Sequence, residues 1–286
     1  MNGKILVTGA SGQLGALVVD SLLDKVPAAQ VVALVRRAEA AEVLKAKGVE
    51  VRMGAYGEAE ALAAAMKGIA RVLLISSSEV GADRSAQHES VIAAAKAEGV
   101  ELLAYTSILR ADTAGLWLAK DHLATEKMIA ASGLPSALLR NGWYTENMVM
   151  GLEQSLEAGA IIGASGTGRY SPAARADYAA AAAAVLVSDS PEGVYELAGS
   201  ESFDMAEFAA EVSRVAGKEI GYADMPEAAL KEIYMGAGLP EVVAHMLADS
   251  SAHAGKGDLE GSAEVLEGLI GRKSTPWKET LAAALA

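Results

Sequence analysis

The chain contains no cysteine, which excludes structural disulfides and thiolate metal sites and is fully compatible with a reducing compartment. It has no surplus of positive charge either: 24 Lys and Arg stand against 37 Asp and Glu, a formal net charge of −13. The average surface repels a phosphate backbone or an anionic lipid, so nucleic acid and membrane surfaces are not expected as partners, while a local basic pocket for one small anion remains open. No charged leader with a long apolar core precedes the first strand-like segment at Lys4, so neither a signal peptide nor a membrane span is expected and the chain reads as cytoplasmic. The four histidines, His88, His122, His245 and His253, show no H-x-H or H-E-x-x-H spacing, and no metal site is expected. A G-x-S-x-G elbow is missing too, which removes support for a serine hydrolase. No repeat of solenoid length is found.

What is present is a chain of 286 residues, 52% hydrophobic, long enough for one large α/β domain or for such a domain with a smaller lobe attached. Apolar runs of strand length alternate with stretches of helical period, the pattern of repeated βα units and a parallel sheet. The strand candidates are KILVT at 4, QVVALV at 30, VEVRM at 49, RVLLIS at 71, ELLAYTS at 101 and SALLRN at 136. Between them lie LGALVVDSLLDKV at 14, AQHESVIAAAKAEG at 86 and KDHLATEKMIAASG at 120, the last two ending at Gly99 and Gly133 as helix C-termini commonly do. After about residue 145 the rhythm turns irregular: ASGTGRYSP reads as a loop, ARADYAAAAAAVLV as a tightly packed helix, GVYELAG as a short strand and SFDMAEFAAEVSRVAG as a capped helix. We therefore expect a doubly wound α/β domain over 1–145, with some later segments returning to it, and a smaller α/β lobe over 146–286.

The stretch LVTGASGQLG sets Gly9, Gly12 and Gly15 three residues apart directly after the first strand. In a strand-turn-helix unit of this length the first glycine permits the sharp turn, the second lets backbone approach a pyrophosphate, and the third lets helix and sheet pack closely. The N–H groups and the positive dipole end of the helix then face the phosphates. The second strand ends ALVRR, with Arg36 and Arg37 where a carboxylate would bond the ribose 2′-OH of NAD; a guanidinium favours a 2′-phosphate, and hence NADPH. Ala55 stands where an Asp often faces the adenine amine, leaving that contact looser or to Tyr56 and backbone. Ser76, Ser77 and Ser78 close the fourth strand, at the carboxyl edge where ligands bind in open α/β sheets.

Taken together, VTGASGQLG, ALVRR, LLISSSEVG, AYTSIL, LATEKM, LLRNGWYTEN and RADYAAAAAAVL resemble the NmrA-like branch of the atypical short-chain dehydrogenase/reductases over essentially the whole chain. The likeness is closest to its quinone-reducing members, the bacterial NADPH:quinone oxidoreductases of type 2, and next to the triphenylmethane dye reductases. The segments ISSSEVG and LLRNGWY are far more specific than the glycine loop. The resemblance implies a Rossmann-type fold, a cofactor gripped by Gly9, Ala10, Ser11, Gly12, Gln13, Leu14, Arg36, Ser76, Ser77, Ser78, Arg140, Asn141, Gly142, Trp143 and Tyr144, and direct hydride transfer from NADPH to a quinone without flavin. A homodimer is left open.

Ordinary short-chain dehydrogenases carry Y-x-x-x-K, so that a tyrosinate moves the proton; here LAKDHLATE puts Leu118 in the Tyr place and His122 in the Lys place. A quinone tolerates that loss better than a ketone, because its reduction yields a well-stabilised hydroquinone anion. The catalytic candidates are His122, as proton donor or else as a helix histidine satisfied by backbone, and Asn141, as holder of the carboxamide or a quinone oxygen or else as a structural turn residue. Thr106 and Ser107 are weaker candidates. Ile108, Leu109, Trp143, Tyr144 and Met148 could wall a flat ring, though packing between the lobes is an equal role for Met148. The missing Tyr and Lys also leave an NADP(H)-sensing regulator without catalysis, or a dye reductase, as competing readings.

Overall fold

The structure, a computed structural model, describes residues 3–79 and 83–286. Six strands lie where the apolar runs place them: β1 (Lys4–Val7), β2 (Val31–Val35), β3 (Glu50–Met53), β4 (Ile69–Leu74), β5 (Leu102–Ile108) and β6 (Ser136–Asn141). They alternate with α1 (Gln13–Leu23), α2 (Ala38–Ala46), α3 (Ala59–Met66), α4 (Arg84–Glu98) and α5 (Trp117–Ser132). Beyond β6 come α6 (Thr145–Met148), α7 (Leu152–Ala158), β7 (Ala160–Gly163), β8 (Arg169–Tyr170), α8 (Arg175–Val187) and β9 (Gly193–Leu197). The chain continues through β10 (Phe203–Asp204), α9 (Met205–Ala216), β11 (Gly221–Asp224), α10 (Glu227–Gly236), α11 (Glu241–Ala254), α12 (Glu264–Ile270) and α13 (Trp277–Ala284).

Seven strands form one parallel sheet in the order β3-β2-β1-β4-β5-β6-β9. Every residue of β2 and β5 is buried, as expected of strands covered on both faces, and this is why they read as unbroken apolar runs. One core joins the sheet to α1, α2, α8 and α12; a second joins its other face to α3, α4 and α5. Helices α4 and α5 end on Gly99 and Gly133 at φ +73° and +76°, left-handed positions that glycine adopts without a Cβ clash. The order of strands reverses between β1 and β4, which opens a crevice at their carboxyl ends.

The helix ARADYAAAAAAVLV and the strand GVYELAG, which their place in the chain assigns to the irregular half, belong to this large sheet. Strand β9 extends it beyond β6, from Ala137 opposite Gly193 to Asn141 opposite Leu197. Helix α8 lies on α1, and its buried Ala179, Ala181, Ala182 and Ala183 let the two helices approach closely. Two small sheets, β8 with β10 and β7 with β11, build the remaining lobe; β8 arises inside the stretch read as a loop. Its core gathers Phe203, Phe208, Trp277 and Leu281 and reaches the sheet through Ile108, Ala111 and Leu116, just past the carboxyl end of β5.

Candidate functional site

The glycine turn is built as its spacing predicts. Gly9 sits at φ +57° and its carbonyl accepts the Gly12 N–H at 2.9 Å. Gly12 precedes α1 with no side-chain cap and no acidic residue in the first turn, so the helix presents bare N–H groups and its positive dipole end. A Cβ on Gly15 would stand 2.2 Å from the Gly9 carbonyl oxygen, so that glycine is what lets helix and turn touch. Ser11, Gly12 and Gln13 are exposed at the mouth, with Ala10 and Leu14 buried beneath. This is a fitting cradle for a pyrophosphate. The Tyr56 hydroxyl, left to meet adenine, is instead engaged with protein: it lies 2.6 Å from Thr8 Oγ1 and reaches the Ile75 carbonyl at 2.6 Å.

Arg36 follows β2 and pairs with Glu79, which follows β4; both side chains are largely open to solvent. Because β2 and β4 flank β1, the pair stands at the crevice itself. Gln87 Nε2 donates to the second Glu79 oxygen at 2.8 Å, and Gln87 and Arg36 together hold the Glu79 carboxyl below its ordinary pKa. Arg37 stays exposed at the start of α2. Of ISSSEVG, Val80 and Gly81 lie outside the described residues; Ser78 is exposed, while the Ser76 and Ser77 N–H groups bond Thr106 Oγ1 at 2.8 Å and His88 Nε2 at 2.9 Å.

His88 is a residue that no motif marked. Its Nδ1 lies 2.8 Å from Thr125 Oγ1, whose own proton goes to the Asp121 carbonyl, so Nδ1 carries the hydrogen and Nε2 accepts from Ser77. Burial, helped by Arg84, brings its pKa down to about 4. The ring is therefore neutral near pH 7.

At the end of β6, Asn141 is buried, its Nδ2 donates to the Tyr144 hydroxyl at 3.5 Å, and its Oδ1 has no hydrogen-bond partner among the described residues. An orphaned buried acceptor costs about 1–3 kcal/mol, so the residue suits a ligand that brings a donor, such as a carboxamide NH₂.

Arg140, which the family likeness places in the cofactor grip, turns its guanidinium largely into the protein. It makes a two-pronged pair with Glu126 (2.9 and 2.7 Å) and bonds Asp112 and Glu196 at 2.8 Å each, so four of its five N–H directions point into protein carboxylates and a single Nη2 hydrogen is left over. The Gly142 N–H is likewise engaged, with the Leu197 carbonyl at 2.8 Å, and the Trp143 carbonyl accepts from Ala173 at 3.1 Å.

His122 lies buried on α5 with Nδ1 2.9 Å from the Tyr105 hydroxyl, so a tyrosine rather than backbone satisfies it. Burial first, then Arg84 and His88, hold its pKa well below the ordinary 6.5. Leu118 packs on the core of the lobe. Thr106 accepts from Ser76, and Ser107 donates to Glu126 at 2.5 Å. The apolar wall divides: Ile108, Trp143 and Met148 join the lobe core and Tyr144 the core around α8, whereas Leu109 turns toward Gly261 and lines a separate open cavity of about 260 Å³ with Arg110 and Glu196. Among the described residues no group of three or more His, Asp or Glu gathers to hold a metal.

A doubly wound parallel sheet with an uncapped glycine turn at its point of reversal defines a Rossmann-type, dinucleotide-binding protein. The chain belongs to the NmrA-like family, whose profile matches residues 1–279. It is 48% identical over 278 residues to quinone oxidoreductase 2 of Escherichia coli (strain K12), with 97% of each chain covered. Among solved structures it is similar to the NADPH-dependent quinone oxidoreductase of Escherichia coli in complex with NADPH, at TM-score 0.96 and 47% identity over 99% of this chain and 100% of that one. It is also similar to the triphenylmethane reductase of Citrobacter sp. complexed with NADP(H), at TM-score 0.93 and 38% identity over 99% of this chain and 100% of that one.

Proposed function

We propose that this chain is an NADPH-dependent oxidoreductase that reduces quinones by direct hydride transfer, without flavin. One observation carries this reading: beside a sheet that opens on an uncapped glycine turn, Leu118 and a neutral, tyrosine-bonded His122 stand where an alcohol dehydrogenase holds its Tyr and Lys. Such a site suits an acceptor whose reduced form is a delocalised phenolate rather than a simple alkoxide. The similarity to quinone oxidoreductase 2 over nearly the full length supports the same choice.

In this reading the N–H groups opening α1, at Gln13 and Leu14, hold the pyrophosphate. Arg36 takes the 2′-phosphate once Glu79 releases it, and the turn at Ser76 to Ser78, anchored through Thr106 and His88, sets the nicotinamide half against backbone. Asn141 Oδ1 receives the carboxamide. The bound cofactor supplies a hydride. The substrate is a small-molecule quinone, and we place its reduction in the cytoplasm; no described helix is long and apolar enough to cross a membrane. Whether two copies associate is a question for sedimentation.

The test is purified protein with NADPH and 1,4-benzoquinone, followed through the loss of reduced-nicotinamide absorbance. Turnover faster with NADPH than with NADH is expected. Tight cofactor binding with no turnover across quinones and triphenylmethane dyes would instead leave a dinucleotide-sensing regulator.

A further inference from the structure

We propose that the Tyr144 hydroxyl bonds the quinone oxygen as negative charge builds on it and then protonates it; this rests on the quinone-reductase reading and names the proton source that the reading lacks. Tyr144 lies three residues past the end of β6 and its ring is held from two sides. The Arg175 guanidinium lies 4.9 Å from its centroid, and the Tyr178 ring meets it edge-on at 5.4 Å. Arg175 is fixed in turn: its backbone N–H bonds the Glu146 carboxylate at 3.0 and 3.1 Å, and its Nη2 bonds Asn147 Oδ1 at 2.5 Å.

The hydroxyl that this clamp positions has an uncommitted proton. In its contact with Asn141 the amide Nδ2 donates and the phenol oxygen accepts, and no acceptor for the phenol hydrogen is found among the described residues. The polar atoms beside it in the chain are also unpartnered among the described residues: Asn141 Oδ1 and Thr145 Oγ1 are both buried without a hydrogen bond. The other hydroxyls and acids of this sheet edge are engaged. Ser107 donates to Glu126, Thr106 accepts from Ser76, His122 is bonded to Tyr105, and Arg140 is locked among carboxylates.

The chemistry balances with what is present. A quinone that gains a hydride takes up two electrons and one proton and becomes the hydroquinone monoanion. The Tyr144 O–H bond then breaks as the second hydroquinone O–H bond forms, and the tyrosinate, beneath Arg175, recovers its proton from water. Donor and acceptor are both phenols, with ordinary pKa values near 10 for the tyrosine, so the transfer is close to balanced. Burial raises the Tyr144 pKa, while the Asn141 amide and Arg175 oppose the rise.

The deciding variant is Tyr144→Phe, which keeps the ring and removes only the hydroxyl. Its kcat with 1,4-benzoquinone, at saturating NADPH, is expected to fall about a hundredfold, the lower end of what a positioned acid supplies. Crystal violet provides the contrast, because a cationic dye that accepts hydride becomes neutral, develops no oxyanion and needs no proton; its decolourisation is expected to stay within about twofold. A readout without turnover uses 4-nitrophenolate as a stand-in for the hydroquinone anion: it should bind NADP⁺-loaded wild type about tenfold more tightly than the variant. The proposal is overturned if Tyr144→Phe keeps its quinone turnover, if quinone and dye turnover fall together, or if the nitrophenolate affinities match. A wild-type protein inert toward every quinone overturns instead the reading on which it rests.

Discussion

His88 Nε2 accepts the Ser77 N–H at 2.9 Å while its Nδ1 meets Thr125 Oγ1 at 2.8 Å, so one buried imidazole ties the serine turn after β4 to helix α5. Its charged form is disfavoured in the fold, with a pKa brought from 6.5 to about 4. Between those values the unfolded chain binds more protons, so the stability is fully present above about pH 6.5 and is lost as the pH falls toward 4. Urea unfolding at about pH 7 and about pH 5 should show wild type losing about 2 kcal/mol more than His88→Gln, whose side chain can still accept from Ser77 but does not titrate. Equal losses would remove His88 from this role.

Arg140→Met leaves the buried Glu126 carboxylate without its guanidinium. Breaking such a pair by removing one partner costs about 3–5 kcal/mol, and urea unfolding should show a loss of that order. Because the side chain is held by Glu126, Asp112 and Glu196, the NADPH Kd of the folded variant should stay within about twofold of wild type. A tenfold weakening would return Arg140 to the cofactor site.

The glycines of the turn differ in what a methyl group would strike. In Gly15→Ala the new carbon falls 2.2 Å from the Gly9 carbonyl oxygen, whereas in Gly12→Ala it falls 3.2 Å from the same atom. Gly15→Ala must push α1 away from the turn, a clash of the overpacking kind that costs about 1–3 kcal/mol, and NADPH binding measured by fluorescence titration should weaken at least about tenfold. Gly12→Ala should cost clearly less.

Arg36→Ala should raise the NADPH Kd about tenfold and leave NADH binding unchanged, because only the 2′-phosphate differs between the two. The effect stays near the lower end for a charge-assisted contact since Arg36 first gives up Glu79. Glu79→Gln should therefore move the other way and tighten NADPH. Calorimetric titration of both variants with both cofactors checks the pair, and an Arg36→Ala protein that loses NADH equally would refute the assignment.

Much of this site was legible because it is local. The turn at Gly9, Gly12 and Gly15 depends on backbone conformation over seven residues, and its geometry follows from where a Cβ cannot stand. Strands β2 and β5 were legible for a similar reason: burial on both faces leaves a continuous apolar run, whereas the edge strand β3, with no fully buried residue, shows only a broken one. Arg140 shows the opposite case. The same segment LLRNGWY that carries the family likeness gives no sign that its arginine turns toward Glu126 on a helix 14 residues earlier and Glu196 on a strand 56 residues later. His88 was silent as well, because one histidine on an amphipathic helix has no spacing to betray it.

By its own pattern the sequence determined the alternation of strands and helices, the anion-binding turn and the basic end of β2, since periodicity, glycine sterics and charge act over a few neighbouring residues. Only the tertiary structure decided that β9 joins the large sheet, that Arg140 turns toward Glu126, Asp112 and Glu196, that His88 braces the serine turn and that the Tyr144 proton meets no acceptor among the described residues. Each of these is a matter of which hydrogen-bonding groups meet across the fold, and a buried polar atom takes its partner from whatever the packing brings within reach.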